Sequence, residues 1–203
     1  PLDSNLRALR EKNLSKLVET AVTEPITDRF ELTESRSGAP SLRVDSKSLH
    51  STYDPVREAS QQLKRYASDL PDNATVVLIG LGLGYLAEEW TRLRPGDTLF
   101  VYEPDLDVFR HALQSRELSE LISVSTFHTG PDGLDELAAS LKELGLTNGQ
   151  SPVVIEWPGV KEYAPGVSET LRNMLMSSTV KMTDSPLRIL VAGPVYGGTL
   201  PMG

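Results

Sequence analysis

The sequence contains no cysteine, so disulfide bonds and thiolate metal sites are excluded, and cysteine usage gives no information about the redox compartment. It has only three histidines, and no two of them show the i, i+4 spacing or the H-E-x-x-H pattern of a helical zinc site. No metal site is therefore expected. The sequence also lacks a G-x-S-x-G motif and a Walker lysine, which argues against a serine hydrolase and a P-loop NTPase.

Clusters of basic residues and long apolar runs are missing as well. The net charge is -8, and no lysine- or arginine-rich block offsets it, so we expect no binding to nucleic acid or to anionic membranes. The longest uncharged run, residues 73–87, is too short and too rich in glycine to span a bilayer. The charged N-terminus has no apolar core of a secretory signal, and a cytoplasmic location is expected.

The remaining composition is that of an ordinary folded domain. Hydrophobic residues make up 39% of the chain and charged residues 24%. A length of 203 residues is enough for one domain with a sizeable core, together with extensions.

The central part of the chain predicts a strand, a glycine turn and a helix in direct succession. Residues 76–79 are apolar and mostly β-branched, as in a strand buried on both faces. Gly80, Gly82 and Gly84 follow at once, and residues 85–93 continue as a helix. In doubly wound α/β sheets this corner binds ligands, because the glycines allow close approach and the helix N-terminus offers free N–H groups.

The glycine spacing differs from the dinucleotide fingerprint G-x-G-x-x-G, since the third glycine comes one position early. The pattern G-x-G-x-G resembles motif I of class I S-adenosylmethionine-dependent methyltransferases and spermidine-synthase-like proteins. Those enzymes commonly carry an acid where this chain has Leu78. The next predicted strand, residues 98–102, ends at Glu103, where such folds place an acid against ribose. The predicted cofactor contacts, for S-adenosylmethionine or a nucleotide, are Gly80, Gly82, Gly84, Tyr85 and Glu103. The alternative is a tight turn with nothing bound.

The segments on either side of this corner define the predicted fold. The N-terminal part reads as one amphipathic helix over residues 2–21, a β-hairpin of strands 30–33 and 41–44, and a helix over 56–70 that Asp54 caps. The later predicted elements are helices 109–113 and 118–122, strand 123–127, helix 134–144 ended by Gly145, strand 152–156 and helix 168–182. This alternation predicts an α/β, Rossmann-like, class I methyltransferase-like three-layer sandwich with a mostly parallel sheet, preceded by an N-terminal helix and hairpin.

Three sequence pieces together carry a more specific family resemblance. They are LHSTYDPVREA at residues 49–59, VVLIGLGLGYLAEEW at 76–90 and VYEPD at 101–105. They resemble the domain of unknown function 115 group, which includes the motility accessory factor proteins of flagellin glycosylation and the archaeal 6-hydroxymethylpterin diphosphokinases. The resemblance covers residues 2–180 and implies a Rossmann-like core. It does not fix a reaction, because members of the group differ in chemistry.

The C-terminal residues leave two readings open. Residues 183–186 resemble a linker, and residues 187–198 resemble the first strand and glycine loop of a CgeB-like GT-B glycosyltransferase. Alternatively, residues 187–191 form the fifth strand of the same sheet. The predicted division is 1–70 for the N-terminal helix, hairpin and packing helix, 71–185 for the core, and 186–203 for the start of a covalently linked downstream domain or the last core strand.

Catalytic candidates are few. His50 and Tyr53 precede a helix N-terminus and are predicted to face the glycine corner, while His128 and Glu156 end strands at the ligand edge of the sheet. The favoured function is an N-terminal Rossmann-like module that binds a nucleotide-type ligand or docks a partner, within a glycosyltransferase of protein or surface glycosylation. The alternatives are an active S-adenosylmethionine-dependent methyltransferase or pterin diphosphokinase-like transferase, and a scaffold whose corner binds nothing.

Overall fold

The computed structural model describes residues 1–23, 26–64, 67, 70–148, 152–176 and 188–191. Its strands are β1 (Phe30–Glu34), β2 (Pro40–Val44), β3 (Lys47–Ser48), β4 (Thr75–Ile79), β5 (Thr98–Glu103), β6 (Thr126–Thr129), β7 (Val153–Glu156) and β8 (Arg188–Val191). Its α-helices are α1 (Leu2–Glu11), α2 (Ser15–Thr23), α3 (Pro55–Lys64), α4 (Tyr85–Leu93), α5 (Leu106–Ser115), α6 (Ser119–Val124), α7 (Gly130–Asn148) and α8 (Val167–Met176). A 3-10 helix, Pro158–Glu162, follows β7.

The centre of the fold is a five-stranded parallel sheet in the order β6-β5-β4-β7-β8, flanked by helices. By order along the chain this is 3-2-1-4-5, the arrangement of a doubly wound sheet. All five residues of β4 are buried, as its apolar sequence predicts for a central strand. The predicted Rossmann-like α/β fold is confirmed. Its switch point lies between β4 and β7, where such sheets open a crevice for a ligand.

The predicted hairpin is also present. Strands β1 and β2 pair antiparallel, with Phe30 opposite Val44, and Gly38 takes a positive φ of 81° in the turn between them. The short strand β3 adds to the other edge of β2 and was not predicted. These three strands form a separate sheet that precedes the core, as the predicted fold class requires.

The single N-terminal helix predicted over residues 2–21 is wrong. Helix α1 ends at Glu11 and α2 begins at Ser15, with Asn13 between them at a φ of 58°. Asparagine tolerates this left-handed conformation better than most residues, and its N–H still reaches the carbonyl of Arg10. The apolar periodicity continues across the break, which is why the sequence pattern reads as one helix.

Several other element bounds also need correction. The third core strand starts at Thr126 rather than at residue 123, because α6 continues through Val124 before the chain extends. Helix α7 begins at Gly130 and runs past Gly145 to Asn148. Helix α3 is described as far as Lys64 and α8 as far as Met176. The predicted continuation of α8 to residue 182, the predicted linker at 183–186, and residues 65–66 and 68–69 after α3 lie outside the described residues.

Strand β8 concerns the two interpretations of the C-terminal residues, the start of a downstream domain or the fifth strand of the core sheet. Arg188–Val191 pairs parallel with Val153–Glu156, in the position of a fifth strand of the core sheet. The glycine loop predicted to follow lies outside the described residues, as does everything from residue 192 onward. The division of the chain at residue 186 therefore stays a prediction.

A buried asparagine attaches α1 to the core. The Asn5 side chain is fully buried, and its amide nitrogen donates to the carbonyls of Leu113 and Arg116 at 2.9 and 2.7 Å. Its carbonyl oxygen accepts from the N–H of Leu118 at 2.8 Å. One side chain thus satisfies three backbone groups in the turn between α5 and α6.

We predict that Asn5→Ala lowers the free energy of unfolding by about 2 kcal/mol, because the buried Leu118 N–H loses its acceptor and two carbonyls lose a donor. Gln114→Ala is the control, since Gln114 is an exposed residue of α5 and its loss should stay within about 0.5 kcal/mol. Urea unfolding of both variants measures the difference. Equal losses would mean that the Asn5 bonds contribute nothing specific.

Candidate functional site: the glycine corner

Residues 80–84 connect β4 to α4, and we call this segment the glycine corner. It lies at the carboxyl end of β4, beside the switch point where doubly wound sheets bind ligands. Gly80, Gly82 and Gly84 have φ values of 87°, 54° and 87°, a left-handed backbone that glycine adopts without strain. The predicted strand, turn and helix are therefore all in place.

All five backbone N–H groups of the glycine corner already have an acceptor within the chain. The bonds are Gly80 to the Tyr102 carbonyl (2.8 Å), Leu81 and Gly82 to Glu103 Oε2 (2.8 and 3.2 Å), Leu83 to His50 Nε2 (2.9 Å), and Gly84 to the Leu81 carbonyl (2.9 Å). In a phosphate-binding turn these groups would point at the ligand. Here an anion could use them only by displacing Glu103 or His50.

Glu103 turns towards the glycine corner rather than towards an open crevice. Its side chain is fully buried, and besides the two corner N–H groups it accepts from the Asp105 N–H at 3.0 Å and from the Tyr163 hydroxyl at 3.0 and 3.1 Å. Burial raises the pKa of Glu103 to about 8, and these hydrogen bonds act in the opposite direction. The carboxyl group predicted to meet ribose is occupied by the chain's own donors.

His50 fills the space above the glycine corner. Its ring is buried, stacks on Trp157 at a centroid distance of 4.6 Å, and meets the edge of the Tyr85 ring at 5.2 Å. Burial, together with the charge of Arg116, lowers the pKa of His50 to about 3. The ring is therefore neutral near pH 7, with its proton on Nδ1, because Nε2 accepts from Leu83. A neutral, stacked imidazole with this pKa is not suited to acid–base chemistry near neutral pH.

The corner glycines make room for the chain's own side chains. A Cβ atom on Gly80 would lie 2.8 Å from Val160 Cβ and 3.1 Å from Trp157 Cε3. A Cβ atom on Gly82 would lie 2.7 Å from Trp157 Cη2 and 2.8 Å from His50 Cε1. The requirement for glycine at both positions is thus explained without a ligand.

A second segment, residues 26–30, covers the carboxyl end of β5. Arg29 donates to Asp105 Oδ2 at 2.9 Å and to the Tyr163 carbonyl at 3.2 Å. Phe30 packs against the edge of the Tyr163 ring at 5.6 Å, and Thr27 bonds to Asp107 at the start of α5. The N-terminal part of the chain is therefore held over the ligand edge of the sheet by specific contacts.

Tyr85 connects α4 to the hairpin sheet. Its hydroxyl donates to the Pro40 carbonyl at 2.7 Å, and the Arg116 guanidinium lies 3.8 Å from its ring centroid. Arg116 in turn donates to the Leu83 carbonyl and to Glu88, so it binds the corner as well. Tyr85 stands where the dinucleotide fingerprint has glycine, and here its contacts are structural.

The other predicted site residues do not join this group. Glu156 bonds to Ser168 on α8 and pairs with Lys161, and His128 lies 3.6 Å from Glu136 on α7. Tyr53, predicted to face the corner beside His50, is 60% exposed, and its ring contacts the Arg36 guanidinium at 4.4 Å instead, so the prediction is wrong. Within the described ranges no helix is long and apolar enough to cross a membrane, and no group of three potential metal ligands occurs.

Comparison with known proteins decides the family. A family model described as the glycosyltransferase Maf N-terminal domain matches residues 7–128. The chain belongs to this family. The match includes the glycine corner, His50 and Glu103, whereas Trp157, Val160 and Tyr163, which pack against the corner, follow the matched range.

Two further proteins are similar to this chain. An uncharacterized protein of Treponema pallidum (strain Nichols) is 33% identical over 115 residues, which are 54% of this chain and 39% of that protein. The structure of the MAf glycosyltransferase from Magnetospirillum magneticum AMB-1 matches 86% of this chain and 35% of its own with a TM-score of 0.54; at 15% identity it shows a shared fold alone. The chain thus spans less than half the length of either protein. The predicted resemblances to pterin diphosphokinases and CgeB-like enzymes stay predictions.

The residues that close the Maf corner were only partly predictable. The predicted site residues included His50, Tyr85 and Glu103, but as residues that act on or contact a ligand. Trp157, Val160 and Tyr163 were not among the predicted site residues. The signal for them was the Trp-Pro-Gly turn directly after the fourth core strand, since the end of that strand borders the switch point.

We predict a characteristic pH dependence for Glu103. Its pKa is about 8 in the folded chain and 4.5 ordinarily, so the folded state binds this proton more tightly. The associated stability is complete below pH 4.5 and is lost as the pH rises towards 8. Glu103→Gln cannot titrate, so the free energy of unfolding of the parent chain should fall relative to this variant between these pH values. Urea unfolding at a series of pH values measures it, and parallel profiles would contradict the prediction.

Proposed function

We propose that this Maf N-terminal domain is a docking module of a larger glycosyltransferase protein and that its glycine corner binds no nucleotide. The observation that carries the proposal is the internal use of all five corner N–H groups. His50 and Trp157 occupy the volume that a bound base or ribose would need. A fold of this type keeps its architecture when the corner serves only its own packing.

Ligand binding at the corner would require several contacts to be given up together. A nucleotide would have to separate the stacked rings of His50 and Trp157 and release the Leu83 N–H from its acceptor. Leaving a buried donor unpaired costs about 1–3 kcal/mol, and the displaced aromatic rings would lose their burial as well. A ligand would need to recover these losses before any net affinity could result.

The alternative reactions lack support from the same geometry. An S-adenosylmethionine-dependent methyltransferase needs an open pocket at this corner, and a pterin diphosphokinase-like transferase needs free donors for phosphate. Among the described residues, His128 lies beside Glu136 on α7, and Glu156, although it is paired with Ile79 next to the corner, bonds to Ser168 and Lys161. No observation favours either reaction over docking.

The link to glycosylation rests on the family. The matching family model describes the N-terminal domain of Maf glycosyltransferases, and the chain corresponds to 35% of the structure that it resembles. In our proposal, sugar transfer is carried out elsewhere in the larger protein. The present domain would position that part or its acceptor, in protein or surface glycosylation.

The proposal is tested by thermal unfolding with S-adenosylmethionine, ATP and a nucleotide-sugar. A ligand that binds only the folded state, at 100 times its Kd, stabilises that state by about 2.7 kcal/mol. In a chain of this size each kcal/mol raises the melting temperature by roughly 2–4 °C. We expect no shift with any of the three. A saturable shift that Gly82→Val abolishes would contradict the proposal and favour the ligand-binding reading.

A further inference from the structure

A second concave surface lies at the other end of the sheet from the glycine corner. It is a groove of about 500 Å³ between α4 and α6, near the amino end of β5. Its floor contains Trp90, Leu99 and Leu121, all buried apolar side chains. Leu99 is the second residue of β5, whereas Glu103 is the last. The groove therefore lies at the amino ends of the strands and the glycine corner at their carboxyl ends.

The rim of this groove also exposes an apolar side chain. Val124, the last residue of α6, lines the groove and is 59% exposed. An exposed aliphatic side chain next to an apolar floor extends the apolar surface that a partner could cover.

The charges around the groove are unevenly balanced. The cations are neutralised within the chain by the ion pairs Arg92–Glu89, Arg94–Asp97 and Arg116–Glu88. Glu117 and Glu120 also line the groove, and neither has a cation within 4.0 Å in the described part of the chain. Glu117 accepts hydrogen bonds from the Ser4 hydroxyl and from Ser119. The groove therefore combines an apolar floor with two carboxylates that form no close ion pair among the described residues, although the N-terminal ammonium helps to lower the pKa of Glu117.

We infer that this groove docks a segment of a partner protein that carries lysine or arginine beside leucine-like side chains. The apolar residues would lie on Trp90, Leu99 and Leu121, and the cations would meet Glu117 and Glu120 at the rim. A second copy of this chain is a poor occupant, because its net charge of -8 opposes approach to an acidic rim. The inference rests on the proposed docking function and names the chemistry of its partner.

The two tryptophans of the chain allow a direct test, because Trp90 lines the groove and Trp157 packs against the glycine corner. The isotope-labelled full chain is titrated with a short amphipathic peptide of leucine and lysine, with its leucine–glutamate counterpart, and with a lysine-only peptide. The two indole N–H signals are followed by NMR. We expect a saturable shift of Trp90 with the leucine–lysine peptide alone, while Trp157 stays in place.

Site variants separate docking from general attraction to an acidic protein. Glu120→Lys and Val124→Ser change exposed groove residues and should each weaken binding about tenfold, or about 1.4 kcal/mol. Val56→Ser is the matched control, since Val56 is similarly exposed but lies on α3, and it should leave binding unchanged. Binding that ignores the groove variants, equal binding of the glutamate peptide, or dimerisation through the groove in ultracentrifugation would overturn the inference.

Failure of the groove and failure of the docking function give different results. If the peptide leaves Trp90 unmoved and nucleotides leave Trp157 unmoved, the partner assignment is wrong while the closed corner stands. If nucleotides move Trp157, the proposed function itself is wrong.

Discussion

Gly80→Ala is expected to destabilise the domain by more than about 4 kcal/mol, enough to unfold a domain of ordinary stability. The new Cβ atom would lie 2.8 Å from Val160 Cβ and 3.1 Å from the Trp157 ring, at a φ of 87° that alanine adopts only with strain. Both neighbours are buried, so neither can move aside without disturbing the packing above β4.

Gly166→Ala is the matched control for this prediction. Gly166 has a φ of 82°, almost the same backbone strain, but a Cβ atom there would meet nothing within 4 Å. Its cost should stay near 1–2 kcal/mol, the strain of the left-handed backbone by itself. Urea unfolding, with circular dichroism to detect variants that fail to fold, gives the difference. Equal losses at the two positions would show that packing of Trp157 and Val160 against Gly80 is unimportant.

His50→Ala is expected to cost about 3–5 kcal/mol. The substitution leaves a cavity between Trp157 and Tyr85 and deprives the buried Leu83 N–H of its acceptor. His50→Gln is the informative companion, because its side-chain oxygen can accept the same hydrogen bond, and it should recover part of the loss. If His50→Ala and His50→Gln lowered the free energy of unfolding equally, the hydrogen bond from the Leu83 N–H would contribute nothing measurable to stability.

The effect of His50 should also depend on pH. The pKa of His50 is about 3 in the folded chain and 6.5 ordinarily, so the unfolded state binds the proton more tightly. The stability that neutral His50 supplies is complete above pH 6.5 and is lost as the pH falls towards 3. The difference between the parent chain and His50→Ala should therefore shrink on acidification. A constant difference over this range would contradict the buried, neutral state of the ring.

Strong local patterns made the core predictable. The apolar run of β4, the three glycines and the helix after them identified the corner, and the turn residues identified the hairpin. Boundaries failed where two structures share one pattern. The periodicity of the N-terminal helix hides the break at Asn13, and the polar and β-branched residues around 123–127 suit either the end of α6 or the start of β6.

The spacing of the glycines does not predict whether the corner binds a ligand or packs against side chains of the same protein. Closely spaced glycines admit any group that approaches the backbone, whether a phosphate or a side chain of the same protein. His50 and Trp157 reach Gly82 from distant parts of the sequence, and only the tertiary structure brings them together. Glu103 illustrates the same ambiguity, since a strand-end carboxylate can accept from ribose or from the N–H groups of the neighbouring turn.

The most direct test of the closed corner is an NMR titration of the full chain with S-adenosylmethionine, ATP and a nucleotide-sugar, following the Trp157 indole N–H signal. Trp90, which donates to Asp97 at the opposite edge of the sheet, serves as the internal reference. We expect neither signal to move. A saturable displacement of Trp157 with Trp90 unchanged would show that the corner opens for a ligand and would contradict the account.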